Sequence, residues 1–544
     1  MSLNTSLNIG SQGLHAAQLG LQVTGQNVAN VNTDGYKRQV LDQENVVTGG
    51  VTIQSISRQL EPYAEKRLLS ATADSSSSSL VAQAYSSLED LVNDTSNSGL
   101  SDAFSTFFDS LQDLADDPSG TAERSTVVAS AESVTDIFNY LGSQFQDLAN
   151  GQNDEITNAV STINDLADQI AALNKQITYQ SSSEIGVNEL KNTRDECVRQ
   201  LSELAPVTVV QDDNNVYQVF VTGSMPLVSG TTAYHLTTEN EGTDATHNRI
   251  IWNTDSGIQA DITNKITSGT IGGALTAQAG IEDQLDKLDA IAAEFVLTFN
   301  AQHRAGTGLD GSTGVNFFES LPVSGLAAGD NTGDATISSG TITDETALTL
   351  HNYEIQFTSA SDYQVVDTNT GSTVTSGTYV SGGTIDFDGI QVVISDSGSG
   401  PATDDVFEVN TVTGTAANIA VSSAIIASTD AIAAGNTSAT GDNENVLLLA
   451  DMQNNLSFDG NDKTIDEQYN ALLVKIGSLS SSATLQSDAD SEVLTQVNTV
   501  ISSVSGVSTD EEATNIILYQ RAYEASAKII SVTDEMMETL INMT

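Results

Sequence analysis

Histidine, cysteine and clustered carboxylates are the side chains from which a chain of 544 residues would build a metal centre or a nucleophilic site. The five histidines, His15, His235, His247, His303 and His351, are scattered, and no His-Glu-x-x-His pair sets two imidazoles on one helix face to hold zinc. The stretch Gly306-Thr307-Gly308-Leu309-Asp310-Gly311-Ser312-Thr313-Gly314 lacks the Gly-Lys-Ser/Thr ending that binds phosphate and magnesium, so it reads as a turn or hairpin loop. Oxygens crowd at Asp459-Gly460-Asn461-Asp462-Lys463-Thr464-Ile465-Asp466-Glu467. A calcium loop of the helix–loop–helix type needs Gly at its sixth position and Glu at its twelfth, where Thr464 and Asn470 stand, so a solvated acidic turn capping the next helix is the better reading. Cys197 sits beside Glu196 and near Arg199 with no neighbouring His, which favours a packed thiol over a reactive one. Carboxylates are too many for any pair to stand out as acid and base. No catalytic residue, cofactor, metal ligand or enzymatic activity is expected.

The charge excludes other classes. Asp and Glu number 72 against 18 Lys and Arg, a formal net charge of −54, although charged residues are only 17% of the chain. So few bases cannot displace counterions from phosphates or draw the chain to anionic lipid, which excludes nucleic acid and disfavours membrane surfaces. One cysteine rules out an intramolecular disulfide framework. The first ten residues carry no basic n-region followed by an apolar h-region, so no cleaved signal of the usual kind is expected, and no apolar run reaches the length of a membrane span.

With so little chemistry to position, the elements themselves become informative. Six prolines in the whole chain permit long helices. Leu3, Leu7, Gly10, Leu14, Ala17, Leu21, Thr24, Val28 and Val31 follow a three-four spacing and predict a helix from Leu3 to Val31, with Gly10 its weak member. Near the other end, Ile516, Tyr519, Tyr523, Ser526, Ile530, Thr533, Met537 and Leu540 form one stripe, and Leu518, Ala522, Ala525, Ile529, Val532, Met536, Thr539 and Met543 a second beside it. A helix from about 510 to 543 with two adjacent stripes implies neighbours on two sides. Apolar seams at chain ends, where fraying is the rule, point to assembly.

Between these helices the period changes several times. Helices are expected at 80–92, 100–115, 121–150, 154–179 and from about 187 to Pro206, then a small β unit with period two from Val207 to Ile262, then a helix from about 268 to 304. Gly, Ser and Thr dominate a β insert placed at 325–440; from Arg304 to Lys463 there is no intervening base, against 21 Asp and Glu. Helix resumes at 445–455 and 465–482, and a seam at Val493, Val497, Val500 and Val504 precedes the last helix. The domains expected are 1–65, an axial helix and extended arm; 66–205, helical; 206–267, small β; 268–308, a returning helix; 325–440, the β insert; 441–483, return helices; and 484–544, axial helices. The fold class is mixed α and β, multidomain and elongated: long terminal helices forming a coiled-coil base, a helical layer, and β-rich outer domains.

Ala29-Asn30-Val31-Asn32-Thr33-Asp34-Gly35-Tyr36-Lys37-Arg38, following a heptad helix, resembles the signature of the bacterial flagellar rod, hook and hook-associated proteins. Its motif positions are Ala29, Asn30, Asn32, Thr33, Gly35 and Tyr36. Read from the residues, it is a helix C-terminus in which Asn30 and Asn32 bond freed backbone groups and Gly35 takes the turn before an extended arm. The run Tyr519 to Ile530 with Asp534-Glu535-Met536-Met537 is similar to the other half of that signature. Within this axial family, the segments 503–512, Asn300-Ala301-Gln302-His303 and Asn188 to Asp195 are similar to the members that join hook to filament.

The resemblance implies a non-enzymatic subunit, exported unfolded without a cleaved signal and resident in the extracellular flagellum at the hook–filament junction. Implied partners are further copies of the chain in a ring or helical array, the hook protein, a second junction protein, and an export chaperone and export apparatus; neither nucleic acid nor membrane insertion is implied. The expected assembly interface is Leu3, Leu7, Leu14, Ala17, Leu21, Val28 and Val31 with Ile516, Tyr519, Tyr523, Ile530, Met537 and Leu540. Two alternatives are another axial component, hook or distal rod, and a surface-displayed adhesive or carbohydrate-binding protein acting through the acidic insert.

Overall fold

The computed structural model describes residues 3–33, 35–47, 49–93, 99–180, 184–212, 215–241, 244–254, 257–454 and 463–543. The first helix, α1 (Leu3–Ala29), leads into a two-stranded antiparallel arm, β1 (Gln39–Asn45) and β2 (Val51–Arg58). Helix α2 (Pro62–Val92) starts with Pro62 in its first turn, where the missing N–H costs nothing, and the Glu61 carboxylate accepts from Ala64 N at 2.6 Å. It therefore begins well before the expected 80. Its serine run, 75–79, is held against the returning helix closely enough that a Cβ on Gly273 would lie 2.7 Å from the Ser77 carbonyl oxygen.

Helices α3 (Leu100–Asp116), α4 (Thr121–Tyr179) and α5 (Glu184–Leu204) follow. The two helices expected at 121–150 and 154–179 are one. Gly151 in the middle costs a helix roughly 1 kcal/mol, which is small beside the packing on either side of it. The first half of α4 buries Val127, Phe138 and Phe145 in one core and the second half buries Ile156, Ile163 and Ile170 in another. Its 59 residues extend roughly 90 Å at about 1.5 Å per residue, so α4 is the spine joining two cores.

The small β unit comprises a four-stranded sheet, β3 (Val207–Gln211), β4 (Tyr217–Val221), β5 (Met225–Ser229) and β6 (Thr232–Ala233), and a three-stranded one, β7 (His235–Glu241), β8 (Asp244–Asn253) and β9 (Gln259–Asp261). Helix α6 (Gly269–Ala305) returns along α4 and α2. Edge-to-face contacts among Phe104, Phe138, Phe295, Phe299, Phe317 and Phe318 fill the larger helical core.

The insert is a sandwich. One sheet orders β10 (Ser324–Ala327), β17 (Val406–Asn410), β12 (Tyr353–Ser359), β13 (Asp362–Asp367) and β14 (Ser372–Thr378); the other orders β11 (Thr336–Ile342), β16 (Ile390–Ser395) and β15 (Thr384–Phe387). Ile355, Phe357 and Phe407 face Phe387, Val392 and Ile394 between them. Strand structure ends at Asn410, not near 440. Short helices α7 (Thr415–Asn418) and α8 (Ser423–Ala427) instead bury Ala416, Ile419 and Ile425 in the helical core. Glycine- and serine-rich composition concealed that change because both segments are poor in periodic signal.

Four side chains on α6 fix the two crossings into the insert. Asn300 accepts from Phe317 N and Phe318 N at 3.0 and 2.9 Å, and His303 bonds Val315 O at 2.7 Å while accepting from Ala433 N at 2.9 Å. Asp289 accepts from Gly414 N and Ala416 N at 2.8 and 2.7 Å, and Arg304 pairs with Glu345.

After α9 (Glu444–Asp451), α10 (Ile465–Ser505) runs unbroken alongside α2, so the boundary expected at 483/484 falls inside a helix. Leu68, Ala71, Val497 and Ile501 form the seam between them. The last helix, α11 (Thr509–Asn542), packs along α1.

Candidate assembly interface and its polar joint

Three glycines set how α1 and α11 meet. A Cβ on Gly10 would stand 2.8 Å from Ile530 Cγ1, one on Gly13 2.7 Å from Ser526 Oγ, and one on Gly20 2.5 Å from the Tyr519 ring. As α1 advances the contacts on α11 recede, so the pair is antiparallel. Gly10, Gly13, Ala17, Gly20, Thr24 and Asn27 repeat every three and four residues and form the seam. Gly10, the weak member of the leucine stripe, is thus a point of closest approach.

The expected interface residues divide accordingly. Ala17 is buried; Leu3, Leu7, Leu14 and Leu21 are half-buried on the flank of the seam; Val28 is exposed. Ile516, Tyr519, Ile530 and Met537 are half-buried, while Tyr523 and Leu540 are exposed. Val31 lies beyond the helix, which ends at Ala29, because Asn30 turns its side chain back onto Gln26 O at 3.0 Å. Leu19 and Val23 pack instead on Leu41, Ile53 and Ile56 of the arm.

The signature residues make the turn out of α1. Gly35 takes φ +74°, a left-handed conformation that favours glycine. Asn30 Oδ1 accepts from the Thr33 hydroxyl at 3.2 Å, and Asn32 and Thr33 face solvent. Asp34 lies outside the described residues. The buried anchor is one that sequence reasoning passed over: Asn27 donates to Gln39 O at 2.9 Å and its Oδ1 accepts from Gln39 N at 3.0 Å and from the Tyr36 hydroxyl at 2.9 Å. Burial pushes the Tyr36 phenol up to about 12, so it stays a donor. The missed signal was the small-residue stripe ending in Asn27.

Helix α5 grips the arm from the opposite side. Asn188 donates to Ile56 O at 2.8 Å, and Arg58 binds Asn192 Oδ1 at 2.8 Å and Asp195 Oδ2 at 2.7 Å, while the Tyr217 hydroxyl donates to Asp195 Oδ1 at 2.7 Å. Arg194 stacks over the Tyr217 ring with its guanidinium carbon 3.4 Å from the centroid and donates to Asn174 Oδ1 at 2.9 Å. Burial draws the Arg194 pKa down and pushes Tyr217 up to about 12. Lys37 bonds Glu65 of α2 at 2.5 Å. Arg38 reaches Glu512 at 2.8 Å and Glu511 at 3.2 Å, and its backbone N–H donates to Ser505 O at 3.0 Å. Ser508 caps α11 by accepting from Glu511 N. The segments 29–38, 188–195 and 503–512 thus converge on one joint between the helix pair and the body.

The other chemical candidates resolve as structure. Cys197 is buried, and that burial raises its thiol pKa; Arg199 is held by Glu196 and Glu203, each at 2.6 Å. Thr464 and Glu467 form a capping box at the start of α10; Asp459 to Asp462 of the acidic loop lie outside the described residues. The 306–314 stretch closes on itself through Gly308 N to Ser312 O at 2.9 Å. Among the described residues no group of His, Cys, Asp and Glu is arranged to hold a metal, and no helix is long and apolar enough to cross a membrane.

Residues 85–318 match the family described as flagellar hook-associated protein FlgK helical domain, and 326–411 the flagellar hook-associated protein 1 D2-like domain. Residues 7–37 match the flagella basal body rod protein family, and 501–543 the flagellar basal body rod FlgEFG C-terminal family. Flagellar hook-associated protein 1 of Salmonella typhimurium is 29% identical over 99% of this chain and 100% of that protein, and its counterpart from Escherichia coli is 28% identical with the same coverage. The flagellar hook junction protein FlgK from Burkholderia pseudomallei shares the fold, with a TM-score of 0.68 and 22% identity over 81% of this chain and 100% of that one. With the two helices that carry the terminal family matches packed along one another, and matches to the helical and D2-like domains between them, the chain belongs to the flagellar hook-associated protein 1 family, the structural proteins of the hook–filament junction.

Proposed function

We propose that this subunit joins hook to filament by packing the outer faces of α1 and α11 against neighbouring subunits, and that it does so without enzymatic activity. The observation that carries this is an uncovered stripe. On the face of α11 beside the one that meets α1, Leu518, Val532, Met536 and Met543 stand between 37% and 83% exposed. Each large apolar side chain removed from water contributes about 1.5–3 kcal/mol, so covering this row supplies the drive for assembly. Further copies, hook protein and a second junction protein are the partners that would cover it in the assembled flagellum.

Before assembly the same stripe needs protection, which supports delivery in a non-native state through the flagellar export apparatus, with a chaperone on the C-terminal helices. The β sandwich, whose segment 324–410 carries 13 acidic residues and no Lys or Arg, keeps that share of the repulsion away from the packed base. The test replaces Leu518 and Val532 together with Asp. Both are surface residues of the free chain, so the monomer should fold while immuno-electron microscopy finds no label at the hook–filament boundary. Normal labelling of the boundary by this variant refutes the interface.

A further inference from the structure

Beside the polar joint, strand β3 is the edge of its sheet and faces α2 across an open groove. Its pairing with β4 fixes where its backbone points. Thr222 N bonds Pro206 O and Asp212 N bonds Val216 O, so positions 206, 208, 210 and 212 spend their hydrogen bonds on β4. By alternation, the N–H and C=O groups of Val207, Val209 and Gln211 point into the groove. Among the described residues no partner meets them there. The groove has two lobes of 370 and 490 Å³, made continuous by Lys66, Leu69 and Val209, which line both.

Its charge is opposite to that of the molecule. The acidic residues lining it are Glu65 and Asp195, and both are consumed, by Lys37 at 2.5 Å and Arg58 at 2.7 Å. The lining bases Lys66 and Lys265 are exposed and make no ion pair among the described residues. A chain of net charge −54 thus keeps an uncompensated positive groove along an unpaired strand edge. Val210 at its rim is 51% exposed.

We infer that this groove receives an extended acidic segment of a second copy of the chain, which adds a strand to β3 with its carboxylates toward Lys66 and Lys265. The inference rests on the reading that copies assemble. Charge complementarity selects the occupant: every copy offers abundant acidic segments, and strand addition uses main-chain bonds for affinity and side-chain charge for selectivity. The contact is separate from the α1–α11 surface, so adjacent subunits would be joined at two places.

The experiment mixes isotopically light and heavy full-length chain carrying a photo-cross-linking side chain at Val210, with a second probe at Leu540 on α11. Light–heavy products from position 210 are expected, falling at least tenfold in the double variant Lys66→Glu, Lys265→Glu, while those from position 540 persist. Val209→Pro, which removes one outward N–H and leaves the β4 ladder intact, should act likewise. Products at 540 with none at 210 overturn the groove and leave the assembly reading standing; absence of both overturns the two together. Products at 210 that survive charge reversal, or that in isolated junctions join a different protein, also overturn it.

Discussion

Adding one methyl group at Gly20 should weaken the pairing of the chain's two ends, and the same addition at Gly25 should strengthen it. Both glycines lie in α1, and glycine costs a helix about 1 kcal/mol relative to alanine, so propensity alone favours both substitutions equally. Gly25 has nothing within 4 Å of its would-be Cβ, so Gly25→Ala keeps the full gain. At Gly20 the Cβ would meet three Tyr519 ring atoms between 2.5 and 2.7 Å. Overpacking of this kind costs about 1–3 kcal/mol, and because the Tyr519 ring is half-buried and free to swing, the lower half of that range applies. Gly20→Ala should thus be neutral to about 1 kcal/mol destabilising, and the two variants should differ by about 1–2 kcal/mol. Amide exchange of residues 3–29 in the full-length chain reads this directly, since about 1.4 kcal/mol is a tenfold change in an opening equilibrium. In a Tyr519→Ala background the penalty should vanish and Gly20→Ala should protect α1 as Gly25→Ala does. Equal protection by the two single variants would show that the helices do not approach at Gly20, and the seam would be wrong.

Three further outcomes are expected. Arg38→Ala leaves the Glu512 carboxylate, 2% exposed, without its cation; breaking a buried pair costs roughly 3–5 kcal/mol and the partly exposed arginine lowers this to about 2–3, with Glu512→Gln restoring most of it in a double-mutant cycle read by exchange in α11. His303, buried and accepting from Ala433 N, has its pKa drawn from 6.5 to about 4 by burial, so the unfolded chain takes a proton that the folded one refuses and stability falls by up to about 3 kcal/mol as pH drops from 6.5 to 4. Asp289, raised to about 6 by burial, works with the opposite sign between pH 6 and 3.8, so denaturant midpoints of the parent should change little from this pair. Relative to His303→Gln, however, the parent should lose ground steadily with acid, and a pH-independent difference would refute the neutral buried imidazole. Finally, Leu14→Asp, Leu21→Asp, Ile530→Asp or Leu540→Asp should each abolish incorporation into junctions while circular dichroism of the β insert is unchanged; normal junctions would remove these residues from the interface.

Residue types and their spacing were enough to place the helices at both ends, the β unit after Pro206 and the strands of the sandwich. Those features rest on local periodicity, which a chain carries whether or not it is folded. The turn at Gly35 and the cap at Thr464 were legible for the same reason, since each is decided within a few residues. Tertiary structure decided what periodicity cannot weigh. Gly151 and the serine run of α2 read as interruptions, yet packing on both sides carries the helices through them. The leucine stripe of α1 was the louder signal, but the seam with α11 runs through Gly10, Gly13 and Gly20, because backbone approach is governed by the smallest side chains. Asn27, Asn188, Arg58 and Glu512 lie far apart in the chain and acquire their roles only when α1, α5, the arm and α11 are brought to one joint. A buried hydrogen bond between distant residues leaves no periodic trace, so the joint that binds the two ends of this chain to its body belongs to the fold alone.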